Sequence, residues 1–93
     1  MPEIIYTKKG RPLKVSGEDL FSRSGKHVAR IRNDKAYDPN GKYVGTIVGD
    51  RLIYRSSDSA RAASSFMARD GFGHTYANRL AVATWGDELP ILD

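Results

Sequence analysis

An aromatic residue followed four positions later by glycine occurs three times in the first half of this chain: Tyr6 with Gly10, Phe21 with Gly25, and Tyr37 with Gly41. Tyr54 with Asp58 makes a degenerate fourth copy. The aromatic positions advance by 15, 16 and 17 residues, while Gly17-Glu18, Asn33-Asp34 and Gly49-Asp50 recur every 16. Self-similarity on this scale restricts the fold strongly, because each copy is one supersecondary unit that must bury its apolar face on its neighbours. Asp38-Pro39-Asn40-Gly41 shows the local physics, with Pro fixing φ inside a type I turn and Gly taking the positive φ that follows. The Gly-Glu, Asn-Asp and Gly-Asp pairs suit two-residue hairpin turns, which also need positive φ. Two kinds of turn therefore alternate. Between them lie short runs such as 27–32 and 43–48, rich in β-branched and aromatic residues. They predict a meander of about seven strands with Leu13, Val15, Val28, Ile31, Val44 and Ile47 in its core. Asp58 tolerates positive φ less well than Gly, so the fourth copy is expected to bend differently.

The rhythm stops after Asp58. Residues 58–70 are rich in alanine and poor in strand formers, with Ser57 or Asp58 as N-cap and Gly71 as C-cap, which predicts one helix. Its stripe of Ala63, Phe66 and Met67 covers an open end of the meander or faces a partner. Gly71-Phe72-Gly73-His74 reads as a joint. Over 75–85, helical spacing (Ala77, Leu80, Ala81, Thr84, Trp85) competes with strand alternation (Leu80, Val82, Thr84). The fourth copy lacks a second strand, so a strand that closes the meander is preferred. The acidic arm 86–93 follows. The expected class is mainly β with one helix (α+β). It is a pseudo-four-fold repeat of short antiparallel β-hairpins forming a small barrel or flower over 4–58. A helix over 58–70 and a C-terminal strand and tail over 72–93 complete one domain of 1–93.

The chain of 93 residues has no cysteine, so neither a disulfide nor a thiolate metal site is expected, and packing or self-association must supply stability. Met1-Pro2-Glu3 is followed by no apolar run, which predicts neither a signal peptide nor a membrane span and makes cytoplasmic location the expectation. Net charge is +4 and unevenly spread. Residues 1–47 hold ten Lys or Arg against five Asp or Glu, and the remainder five against six. Lys8, Lys9, Arg11, Lys14, Arg23, Lys26 and Lys42 flank the turns. They form a soluble rim that discourages edge pairing or, alternatively, a face that attracts polyanions such as nucleic acid.

Repeated Tyr-x-x-x-Gly units with Val-Gly or Val-Ala in the second strand, as in 37–47 and 21–31, resemble the four-fold beta-flower family of small bacterial and phage proteins. The resemblance covers residues 4 to about 58. It implies a pseudo-four-fold arrangement of short hairpins and carries no assigned activity or functional residues. Leu13-Lys14-Val15 in the first copy departs from the pattern. Tyr37 to Gly41 is also similar to the YD-repeat motif Tyr-Asp-x-x-Gly.

His27 and His74 stand in no metal or triad spacing and read as satisfied surface residues. Asp87-Glu88 reads as solvated tail charge, and no glycine-rich segment links a strand to a helix in the phosphate-binding manner. Neither enzyme activity nor a cofactor is expected. The first functional expectation is an interaction or assembly module of bacterial or phage origin, in the host cytoplasm if phage-encoded. It would form a homo-oligomer or engage another protein, with Phe66, Met67, Trp85, Ile91 and Leu92 as self-association residues. Nucleic-acid binding through the basic turns is one alternative. The other is carbohydrate or cell-wall recognition by Tyr6, Phe21, Tyr37 and Tyr54, whose structural role would be core packing.

Overall fold

The computed structural model describes residues 3–71 and 73–89. Seven strands follow one another: β1 (Ile4–Thr7), β2 (Pro12–Ser16), β3 (Asp19–Phe21), β4 (His27–Arg32), β5 (Lys35–Tyr37), β6 (Tyr43–Val48) and β7 (Arg51–Ile53). Each is antiparallel to the next. An odd number of strands in a meander leaves the last running the same way as the first. β7 and β1 accordingly pair in parallel, Tyr6 opposite Arg51 and Thr7 opposite Leu52, and the sheet closes into a barrel. Closure leaves no free strand edge.

The repeat spacings have a structural cause. Pairing shifts register between Leu20 and Phe21 and again between Ala36 and Tyr37, so Val28 and Val44 are extra residues on the longer strands. β1 and β2 pair without a shift. The first unit is therefore one residue shorter, which accounts for a first step of 15 rather than 16.

The class is all-β, which corrects the α+β expectation. Among the described residues the one helical turn is a 3-10 turn at Ser56–Asp58, and residues 58–70 form no α-helix. The backbone N–H groups of Ala63 and Phe66 donate to turn carbonyls instead of to carbonyls four residues earlier in their own segment. An isolated helix of this length is marginal in water, so these tertiary bonds override alanine's propensity. The expected apolar stripe is split, with Phe66 packed against His27 while Met67 is 84% exposed. Residues 75–85 are not a strand either, since the β1–β7 seam already closes the sheet.

Ile5, Leu20, Ala36 and Leu52, one from each of β1, β3, β5 and β7, are fully buried. Leu13, Val15, Val28, Ala29, Ile31 and Val44 pack around them, with Ile47 partly buried alongside. The last member of this cluster is Leu89, which comes from outside the barrel. It fits because Gly45 has no side chain: a Cβ there would stand 2.8 Å from Leu89 Cδ2 and 2.9 Å from Leu52 Cγ.

Candidate interaction site at the barrel rim

Three wide turns share one end of the barrel, because the tight turns at 17–18, 33–34 and 49–50 reverse the chain at the other. Each wide turn is built alike. Gly10, Gly25 and Gly41 donate to Thr7, Ser22 and Asp38 carbonyls (2.9, 3.0 and 2.8 Å). Each glycine has positive φ (91°, 93° and 85°), the geometry of a type I turn completed by a left-handed residue. A side-chain oxygen on the residue after the aromatic tightens the turn. Thr7 Oγ1, Ser22 Oγ and Asp38 Oδ1 accept from the N–H groups of Arg11, Lys26 and Lys42. That oxygen-bearing position stands in the sequence directly after the aromatic in all three units, beside the glycine. In the fourth copy the residue two places after the buried Leu52 is Tyr54, whose N–H donates to the Asp87 carbonyl, and the chain leaves the barrel through the 3-10 turn.

Residues 59–71 and 73–89 then form a belt around this rim, visiting the wide turns in reverse chain order. Ala63, Gly71 and Arg79 donate their N–H groups to the carbonyls of Gly41, Gly25 and Gly10 (2.8, 2.6 and 2.8 Å). Phe66, His74 and Val82 donate to Pro39, Arg23 and Lys8 (2.9, 2.8 and 3.0 Å). Both series of donors advance by eight residues, half the repeat of the barrel beneath. Asp87 continues the first series by exchanging two hydrogen bonds with Tyr54 (2.7 and 3.0 Å). The turn glycines permit the approach as well as the turn, since a Cβ on Gly10 or Gly41 would lie about 2 Å from the carbonyl oxygen of Arg79 or Ala63. Beyond Asp87, Glu88 accepts from Thr7 Oγ1 (2.8 Å) and Leu89 enters the barrel.

Much of the basic rim is occupied in holding this belt. Lys8 Nζ donates to the Gly86 carbonyl, and Arg23 donates to the Tyr76 carbonyl and to Asn78 Oδ1 (3.0 and 2.8 Å). Arg51 donates to the Leu80 carbonyl (2.8 Å). Lys9, Lys26 and Lys42 stand exposed, one on each wide turn, and Lys14 is half-buried. Arg11 lines a cleft of about 200 Å³ between the first two turns, with Thr7, Ser22, Arg23 and Asn78 above a floor of Leu13 and Leu89.

Neither histidine is a satisfied surface residue. His27 is buried, and its Nδ1 accepts from the Arg69 N–H (2.9 Å), so Nε2 carries the proton toward Asp19 Oδ1 (3.0 Å). The ring lies between Phe21 and Phe66, each 5.0 Å away between centroids. With both nitrogens engaged it is a clip for the belt, not a free base. His74 is half-buried, yet both ring nitrogens are shielded and lack hydrogen-bond partners. Burial, and then the charges of Arg23 and Lys14, hold its pKa below the ordinary 6.5.

Tyr6 and Tyr37 are buried, and Phe21 and Tyr54 are half-buried. Arg79 lies over the Tyr6 ring at 4.4 Å, while Tyr43 packs against Tyr37 and Tyr54. Exposure is found on the belt: Met67 at 84%, Leu80 at 88%, Trp85 at 56% and Tyr76 at 41%. Of the expected self-association residues, Met67 and Trp85 are thus presented to solvent, with Arg55 stacked on Trp85 at 4.2 Å. Phe66 is half-buried beneath Arg30 at 4.3 Å. Ile91 and Leu92 lie outside the described residues. Tyr76 carries no signal in the sequence, and Leu80 fits both the helical and the strand spacing of 75–85, neither of which marks it as exposed.

No protein-family model, curated protein or solved structure matches this chain. The rim must therefore be judged on its own chemistry. Among the described residues no three metal-ligating side chains gather. The groove of about 560 Å³ beside Phe66 is lined by His27, Asp19 and Arg30, which already bond to one another or to the belt. What remains presented outward is apolar surface on the belt and lysine on the turns.

Proposed function

We propose that this chain is a non-enzymatic interaction and assembly module, of bacterial or phage origin and cytoplasmic, whose working surface is the belt. The proposal keeps the four-fold beta-flower resemblance for the repeated units of residues 4–58. Among the described residues no helix is long and apolar enough to cross a membrane. The observation that carries the reading is that the four exposed large apolar side chains, Met67, Tyr76, Leu80 and Trp85, all belong to the one segment that packs no side chain into the barrel before Leu89. Apolar surface left in water on a small protein marks a contact surface.

Light scattering during size exclusion tests this. The wild-type chain should show an apparent mass that rises with concentration. Replacing Met67 and Leu80 together by serine should reduce the rise while leaving the melting temperature nearly unchanged, since both side chains are exposed. A constant monomer mass for the wild type, up to the highest concentration attainable, would defeat the self-assembly form of the reading. Exposure of Lys9, Lys26 and Lys42 on three equivalent turns supports a second reading, polyanion binding.

A further inference from the structure

The barrel and the belt are held by different means. Seven strands and the β1–β7 seam complete the barrel with no contribution from residues 59–89. Between Ser59 and Glu88 none of the described residues is buried, so the belt is attached mainly through main-chain hydrogen bonds, partly exposed side-chain contacts such as Phe66 on His27, Asp70 with the His27 N–H and Arg79 on Tyr6, and Leu89. Few buried apolar contacts and exposed backbone bonds define the easily opened part of a protein. The acceptors are carbonyls of Gly10, Gly25 and Gly41 and of Lys8, Arg23 and Pro39, which every copy presents identically. Nothing in such bonds distinguishes a belt in its own chain from one supplied by a neighbour.

We propose that the belt is exchangeable: the belt of one copy docks onto the rim of a second copy, with Leu89 entering the second barrel. The partner is a second copy of this chain, because this sequence itself carries donors at an eight-residue step matched to the turns and a leucine that fits over Gly45. The 3-10 turn at Ser56–Asp58 is the hinge, with no buried residue to resist its opening. Exchange makes the same bonds within and between chains, which is why swapped elements are a low-cost route to dimers. The connection within one chain supplies a high effective concentration, so the closed monomer dominates in dilute solution and exchange takes over as concentration rises. This inference rests on the interaction reading above and names its partner.

Lys42 and Ala62 face each other across an isolated antiparallel bridge. The Ala63 N–H bond to Gly41 makes them a non-hydrogen-bonded pair, with Cα atoms about 4.5 Å apart and within disulfide reach. The chain has no cysteine, so introduced thiols are its only ones. Full-length K42C and A62C chains of different mass are mixed at high concentration, then diluted and oxidised. The expected product is a mixed disulfide dimer in clear excess over either same-variant dimer. In the double variant K42C/A62C, oxidation while dilute locks the belt at home, and the locked chain should lose the exchanged dimer, recovering it on reduction. Equal yields of mixed and same-variant dimers would overturn the proposal. If the locked chain associates as well as the reduced one, exchange fails while the interaction reading stands. If the reduced chain also stays monomeric, both fail.

Discussion

His74 is a residue through which mild acid lowers stability. Its folded pKa lies below 6.5, because burial and the nearby Arg23 and Lys14 charges disfavour the imidazolium. The neutral ring's contribution is therefore complete above pH 6.5 and is lost as pH falls from there toward the folded value. Melting temperature should decline as pH is lowered from 8 to 5, and H74Q should flatten that decline. An unchanged slope in H74Q would place the acid-sensitive group elsewhere. His27 shows what the sequence held at this scale and what went unread. It stands 16 residues before Tyr43, in the same place of the preceding unit. Tyr43 is a buried hydrogen-bonding ring, its hydroxyl 2.6 Å from Thr46 Oγ1. Equivalence within the repeat thus pointed to a buried polar aromatic at 27, whereas composition alone suggested a surface histidine. His74 lies beyond the repeat and has no such counterpart to consult.

At the scale of elements, the turns and strands were legible because their determinants are local. Positive φ at Gly10, Gly25 and Gly41, and a fixed φ at Pro39, are demands a few adjacent residues meet by themselves. The belt was not legible, since what holds residues 59–89 in place is a set of carbonyls contributed by distant turns. Alanine-rich sequence states a preference for helix only while nothing else claims its N–H groups. Leu89, four residues after the single tryptophan, likewise announces its burial through no periodicity. Its removal should be costly: L89A leaves an apolar space beside Gly45 and Leu52 and should destabilise the chain by about 2–4 kcal/mol, read by chemical denaturation. Wild-type stability in L89A would mean that the leucine does not hold the belt's end in the barrel.

For the whole molecule, closure was foreseen from the wrong element. The expected closing strand lay in the tail, yet an odd strand count already brings β7 beside β1. The consequence for function lies in how charge is distributed between the two ends. Lys9, Lys26 and Lys42 sit on the wide turns, whereas Glu18, Asp34 and Asp50 sit on the tight ones. Asp34 is held below its ordinary carboxylate range, first by the hydrogen bond from Lys35. Polyanion binding, if it is the rim's work, should disappear in K9E/K26E/K42E and weaken steeply with salt. A gel shift indifferent to both would leave the belt as the working surface.

Every residue of the barrel precedes every residue of the belt. As the chain emerges from the ribosome, the seven strands are available to fold while the leucine that will stopper them is still inside the exit tunnel. For that interval the newborn vessel stands open at one mouth, next to its siblings on the same message, and whichever tail arrives first can become its cork.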